Sequence, residues 1–555
     1  MSSLLTNTWS TRRAIFEMVP RDMRTSDPTR GAEIAEGYFA LGDATIELDG
    51  RNLFEVEPPT ERFAELLHSF GWIRHMRAHA QSSTKMIART YVLQWVERRN
   101  EHPRIAMIPA IAARRALCLT NQAAYLLDDV SPSNYQLIMS AILADVRIAF
   151  TGRSLAPDPT DRCLIALACA SVAHSLANRK GLQNKTKAVL DTSLQEAFHP
   201  DGGPVSRRPT DLARLLAEML SLRALMEARE IPVTPRLNKS IASAMRMLRM
   251  LRHPDGSLAR FQGAADLTHL ARGLVASITT YDTERGPLPV LASDTGYARL
   301  EAGASIALFD CGGPPPFNAG AKSHASPLAF EWSYGPEKFI TNSPAPWQGQ
   351  FSGTLDRRHT IAHSTVCVDG AASVQFATPE NDSPLVTSGV SVTAAKDKDT
   401  PERAILARHT GYAKRFGVEH ERFIRLSKDG RSLEGKDRLL MKSGALAKTV
   451  RLPYAINFHV EPGVRVKFLG RSSCKLTAAM RSVIFEVDQG RLEIVDPSAD
   501  RPKHGPSRSV QLSVTSTVSE DPEVSWRFIV NDDFMDDEFE PDDPDTPFEE
   551  PDGNP

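Results

Sequence analysis

Two hydrophobic periodicities divide this chain. From residue 59 to 285 apolar positions recur at helical spacing. In PTERFAELLHSFGWIRHMRAHA (59–80), Phe63, Leu66, Leu67, Phe70, Ile73 and Met76 fall on such spacings. The stretches SNYQLIMSAILADVRIAF, TDRCLIALACASVAHSLANRK, TDLARLLAEMLSLRALMEARE and RLNKSIASAMRMLRMLRH repeat the pattern in good helix formers. Thr160-Asp161 and Thr210-Asp211 are positioned as N-caps of two of these helices. Short breaks such as HPDGGPVSRRP (199–209) and HPDGS (253–257) make successive helices antiparallel hairpins. Such hairpins close into a toroid, stack as a solenoid, or bundle.

Near residue 286 the period changes to two. After RGPLPVLASDTG come YARLEAGASIALFDCG, LAFEWSY, KFITN, STVCVDG, LVTSGVSVTAA, ERFIRLSKDGRSLEGKDRLL, INFHV, VRVKFLG, SVIFEVDQGRLEIV and SVQLSVTSTV, separated by Gly and Asp-Gly turns. Many alternating strands with such turns predict a large antiparallel sandwich. The expected divisions are an N-terminal arm (1–58), a helical domain (59–285), a β domain (286–530) and a tail (531–555).

Charge changes this picture at one end. The net charge is −2, yet residues 531–555 hold twelve acids and no Lys or Arg, leaving a body near +10. A basic body suits an anionic partner, an acidic polysaccharide or a nucleic acid. No helix-turn-helix or aromatic stripe accompanies it, so nucleic acid is not expected. The Asp- and Pro-rich tail is expected to be disordered, with an intramolecular mimic in a basic cleft as the other reading. Cys118, Cys163, Cys169, Cys311, Cys367 and Cys474 show neither a CxxC pair nor regular spacing, which predicts buried thiols. The longest apolar run, 164–177, is too short to span a bilayer. No leader is visible at the N-terminus, so the sequence alone predicts a cytoplasmic protein. Oligomeric state is not encoded in any of these features.

The candidate chemistry is sparse. No phosphate loop, nucleophile elbow, dinucleotide fingerprint or HExxH occurs. RRHTIAHSTVCVDG (357–370) reads as a strand, placing His359 and His363 roughly 13 Å apart. One of them could join His324, from the segment before LAFEWSY, at one metal; a hydrogen-bonded strand histidine is the plainer reading. Asn134-Tyr135 open a helix, and Arg207-Arg208 sit on a loop, where a guanidinium pair suits a carboxylate.

The ordered series FHPDGGPVSRRP, RMLRMLRHPDGSLARFQG, SHASPLAFEWSYG, RRHTIAHSTVCVDG and TGYAKRFGVEHERFIRLSKDGRSLEGKDRL resembles the heparinase II/III-like proteins, in their alphaproteobacterial branch. The resemblance covers nearly the whole chain. It implies an incomplete (α/α) toroid followed by an antiparallel β-sandwich. It also implies β-elimination on a uronic-acid-containing polysaccharide lying between the two, and a periplasmic or cell-envelope setting. By this resemblance His324, His363 and Tyr135 are the acid–base candidates, and Asn134, Arg207, Arg208, Lys322 and His359 the substrate binders. The sequence departs from the lyase pattern at several positions. Lys322-Ser323-His324-Ala325-Ser326 lacks an earlier histidine and an aspartate, and Thr210-Asp211 stand where a catalytic tyrosine is sought. The resemblance puts a structural zinc at His324, His363 and Asn342 in some members. An amide is a poor zinc ligand, so no cofactor is expected here. A polysaccharide-binding or envelope scaffold that has lost its acid–base set is the alternative.

Overall fold

The computed structural model describes residues 14–42, 44–101, 103–264, 269–283, 286–342, 358–377, 390–495 and 510–531. An arm comes first, with helix α1 (Pro28–Ala35) and the hairpin β1 (Tyr38–Leu41) and β2 (Ala44–Glu47). Its Ile34, Phe39 and Leu48 are buried in the same apolar cluster as the first helices of the ring. Then follow α2 (Glu61–His68), α3 (Ile73–His79), α4 (Ser82–Arg98), α5 (Pro109–Asn121) and α6 (Pro132–Gly152). The ring continues with α7 (Pro159–Ser175), α8 (Lys180–Ala197), α9 (Pro209–Ala228), α10 (Pro235–Met250) and α11 (His269–Thr279).

Helices α5, α7, α9 and α11 touch in that order as an inner row, and α6, α8 and α10 pair with them from outside. This is the incomplete (α/α) toroid. Proline supplies the first residue of α5, α6, α7, α9 and α10, where its missing N–H and preset φ cost nothing. Those prolines also correct the expected caps. Helix α7 is capped by Asp158, whose carboxylate accepts from Thr160 N. Helix α9 starts at Pro209 without a side-chain cap, and Asp211 instead accepts from Ser206 and Arg208.

The β half holds two antiparallel sheets. One runs β14 (Arg465–Gly470), β15 (Ser473–Thr477), β16 (Ser482–Val487), β19 (Glu523–Asn531), β12 (Ser432–Met441), β11 (Val418–Leu426), β10 (Ala404–His409), β9 (Val392–Lys396). The other runs β17 (Arg491–Val495), β18 (Gln511–Thr517), β13 (Pro453–Val460), β7 (Glu337–Thr341), β6 (Phe330–Tyr334), β5 (Ser305–Asp310), β4 (Tyr297–Ala302), β3 (Leu291–Ala292), with β8 (Val366–Val368) also beside β13. Alternation drives the layering: in β19, Val524, Trp526, Phe528 and Val530 turn inward and their neighbours outward. Phe330, Phe458, Phe485, Trp526 and Phe528 form the aromatic centre between the sheets. The segment read as a strand across His359 and His363 is instead one 3-10 turn, Thr360–Ala362, and only Val366–Val368 is strand. The expected tail, 531–555, lies outside the described residues after Asn531.

Ring and sandwich are locked by buried polar groups. The Arg207 guanidinium donates to Thr295 O at 2.7 Å and Gly313 O at 2.6 Å and pairs with Asp310. His253 meets Ser333 at 2.9 Å and Glu331 at 3.0 Å. Arg260 pairs with Glu461 at 3.0 Å. Each bond joins a loop of the helical half to a strand or turn of the sandwich, so the two halves are fixed against each other.

Candidate functional site

The inner helices set the electrostatics where ring and sandwich meet. Helix α6 runs antiparallel to α5, since Gly152 at its end lies against Pro109 at the start of α5. The starts of α7 and α9 belong to the same end of the ring: the 3-10 turn Phe317–Ala319 of the sandwich touches α7, and Lys322 feels the charges of Asp161 and Arg208. The N-termini of α5, α7 and α9 therefore point toward the sandwich, and their dipoles favour an anion there.

Side chains add to this field. Lys322 reaches solvent from the sandwich side. Its pKa is lowered by desolvation from the surrounding protein and by the positive charges of Arg208, Arg214 and Arg62, against the opposing pull of Asp161. Burial and then Arg114 lower the Arg214 pKa to about 10, with Arg208 and Arg62 adding to the effect. Five cations from α2, α5, α9 and the sandwich thus share one neighbourhood. Asp211 pairs with Arg208 at 2.6 Å and stands 3.8 Å from Arg214. Glu65 pairs with Arg62 at 2.8 Å. Arg114 and Lys322 make no ion pair among the described residues.

Behind this cluster lies a histidine pair. His324 Nδ1 stands 3.1 Å from His363 Nε2, and both rings are buried. The sequence reading had named both, and the fold brings them into contact. Gly263, at φ +73, lets the loop after α10 pass over the pair: a Cβ there would lie 2.9 Å from His324 Nε2 and 2.4 Å from Lys322 O. Burial, then Arg358 and Arg208, lower the His324 pKa to about 3. This imidazole is neutral and a poor proton acceptor at ordinary pH.

Other expected residues stand elsewhere. Asn134 and Tyr135 occupy the first turn of α6, at the end away from Gly152, roughly 26 Å along the helix axis. Tyr135 packs against the first helical core. The two do not converge with His324, which corrects their expected place in the site. Arg207 is the lock described above, its carboxylate partner being Asp310 rather than a sugar. Arg208 belongs to the cation cluster but is already engaged by Asp211. His359 caps the 3-10 turn, its Nδ1 accepting from Ile361 N at 3.4 Å. Asn342 donates to Glu331 at 3.2 Å and accepts from Ser364 N at 2.9 Å. Two imidazoles and a committed amide fall short of the three protein ligands zinc uses, and no trio of metal-ligating residues occurs among the described residues.

All nine tyrosines are described residues. Tyr38 is exposed on the arm hairpin, and the others pack into or against one of the three main cores. The hydroxyls of Tyr297 and Tyr412 donate to the carbonyls of Arg207 and Val366. None is hydrogen-bonded to the histidine pair. The sequence reading missed Arg62, Arg114 and Arg214. Their only linear signal is basic residues near helix starts, as in PAIAARRA and RRPTDLAR, and nothing linear shows that these starts meet.

Comparison with known proteins agrees with this architecture. Residues 284–527 match the family described as Heparinase II/III-like, C-terminal. The chain is 26% identical over 464 residues to FtsZ-localized protein C of Caulobacter vibrioides, covering 80% of this chain and 78% of that protein. Among solved structures, Heparinase III superposes with a TM-score of 0.64 at 13% identity, over 87% of this chain and 80% of that one. The heparan sulfate lyase HepC of Pedobacter heparinus gives 0.54 at 11% identity, over 95% and 87%. At such identities the structural likeness establishes the fold. No helix among the described residues is long and apolar enough to cross a membrane.

Proposed function

We infer that this chain, which belongs through its C-terminal domain to the heparinase II/III-like proteins, binds an acidic polysaccharide in the groove between ring and sandwich. The observation that carries this reading is the convergence of Arg62, Arg114, Arg208, Arg214 and Lys322 at the inner-helix N-termini, two of them without ion pairs. A uronate carboxylate suits guanidinium groups, which offer paired, planar donors. Binding is separable from chemistry here. β-Elimination needs a base for the C5 proton and an acid for the leaving oxygen. His324, two residues after Lys322, is buried with its pKa lowered to about 3, and no tyrosine hydroxyl joins it.

Elimination is the second reading, supported by the lyase-like fold and by the His324–His363 contact. One experiment separates the two. Purified protein is titrated with heparan sulfate, alginate and hyaluronan by calorimetry, and the same mixtures are followed for the ultraviolet absorbance of an unsaturated uronate. We expect salt-sensitive binding, weakened about tenfold or more by Arg114→Ala with Lys322→Ala, and no absorbance change. Turnover abolished by His324→Ala in a folded protein would establish the lyase. Equal affinity for neutral glucans would remove the groove as an anion site. We also expect no tightly held metal; one equivalent of zinc in the purified protein would reverse that.

The Caulobacter relative is named for its localisation with FtsZ. We carry the same setting to this chain: a binding protein associated with the division machinery. A fluorescent fusion tests it, and a signal spread evenly along the cell would contradict it.

A further inference from the structure

The edge of the eight-stranded sheet carries chemistry that the groove does not use. Among the described residues strand β14 pairs only with β15, at the end of the sheet. On it Arg465, Lys467, Phe468 and Leu469 are exposed, with Phe468 at 43% and Leu469 at 53%, and Arg471 stands in the turn that follows. Lys467 lies directly opposite Lys475 in the ladder. Like charges so placed repel, and an anion nearby relieves that repulsion. Arg465, Lys467 and Arg471 make no ion pair among the described residues. Lysines on an edge strand also discourage edge-to-edge pairing, but that role does not call for the exposure of Phe468 on the opposite face of the strand, where it is paired with the buried Cys474.

The complement is in the same chain. After Asn531 come 24 residues with twelve acids, no Lys or Arg, and Phe534, Met535, Phe539 and Phe548 among the acids. They start at the end of β19, where Asn531 pairs with Ser482. Across β16 and β15 to β14 is three strand spacings, about 14 Å. By coil statistics 24 residues reach roughly 27 Å, so the length of the segment is sufficient. We propose that residues 532–555 dock in cis on the β14–β15 edge, their carboxylates against Arg465, Lys467, Arg471 and Lys475 and their aromatic side chains on Phe468 and Leu469. The tail then covers the open edge and is displaced by salt or by a stronger acidic, aromatic peptide. This surface lies outside the sugar-binding reading and does not depend on it.

The test compares the full chain with a full-length variant in which Asp532, Asp533, Asp536, Asp537, Glu538 and Glu540 are replaced by their amides. Hydrogen exchange of the β14 and β15 amides should be faster in the variant at low salt, and the two proteins should converge at high salt. A synthetic peptide of residues 532–555 should bind the variant and restore the protection, while the native chain, already occupied, should bind it about tenfold more weakly or worse. Lys467→Glu with Lys475→Glu should abolish peptide binding, with unchanged circular dichroism as the control. Equal exchange in the two proteins overturns the proposal. So does peptide binding that survives the charge reversal, or that is lost instead with Arg114→Ala and Lys322→Ala, which would put the tail in the groove. Phosphatidylserine vesicles bound equally by both proteins through Lys467 would show a lipid surface instead.

Discussion

At the scale of single residues, Arg207 shows how one chemistry serves two ends. Its guanidinium binds a carboxylate, as the sequence suggests, but the carboxylate is Asp310 of the sandwich. It does so with φ 58, a left-handed backbone that a non-glycine residue adopts only when its surroundings enforce it. The Tyr297 hydroxyl on its carbonyl and the stacking of its guanidinium 4.8 Å over the Tyr297 ring are part of that enforcement. Arg207→Ala would leave Asp310 buried and unpaired, a loss of about 3–5 kcal/mol. Thermal unfolding should move down accordingly, while polymer affinity of the folded fraction stays the same. A variant with native thermal stability and lost affinity would return Arg207 to the binding site.

At the scale of elements, direction decides more than composition. Helix α6 carries Asn134 and Tyr135 at its start, and because it lies outside α5 and antiparallel to it, that start faces away from the sandwich. The inner helices run the other way and bring Arg114, Arg208 and Arg214 toward Arg62 of α2. In the sandwich, β12 and β19 are fitted to each other by a missing side chain. Gly435 is paired with Trp526, and a Cβ at 435 would stand 2.0 Å from the indole. The indole Nε1 in turn donates to Asp437 at 2.8 Å, which also holds Arg422 and His420. Gly435→Ala should therefore displace the ring and loosen that network, destabilising the protein by about 1–3 kcal/mol. Chemical denaturation measures it, and an unchanged midpoint would mean that the ring has room to move.

At the scale of the whole molecule, the two halves share polar groups that titrate. Burial lowers the pKa of His253 and His459 to about 4 and that of His324 to about 3, and Glu331 lies at about 2 under Lys338, His253 and Arg260. An unfolded histidine takes a proton near pH 6.5, so between about pH 6.5 and 4 the unfolded chain binds more protons than the folded one. Stability is full above that window and falls as pH drops through it. Glu331 adds a loss of the same sign below about pH 4.5, as the unfolded carboxylate protonates first. Since His253 and Glu331 join ring to sandwich, the halves should unfold together. Calorimetry should show one transition, at a lower temperature near pH 5 than near pH 7.5. Two transitions, or a higher melting temperature in acid, would contradict the shared lock.

The sequence by itself determined the division into a helical and a β half and the layering of the sandwich, and it left open whether His359 or His363 would join His324. Periods of 3.6 and 2 are local, and a family resemblance carries a fold. What only tertiary structure decided was company and direction. Arg207 met Asp310, some hundred positions away. Tyr135 was turned to the far end of its helix. Arg62, Arg114 and Arg214, unremarkable where they stand in the chain, were gathered around one space. A charge acts through distance, and distances between remote segments are set by packing, which no local pattern of residues records.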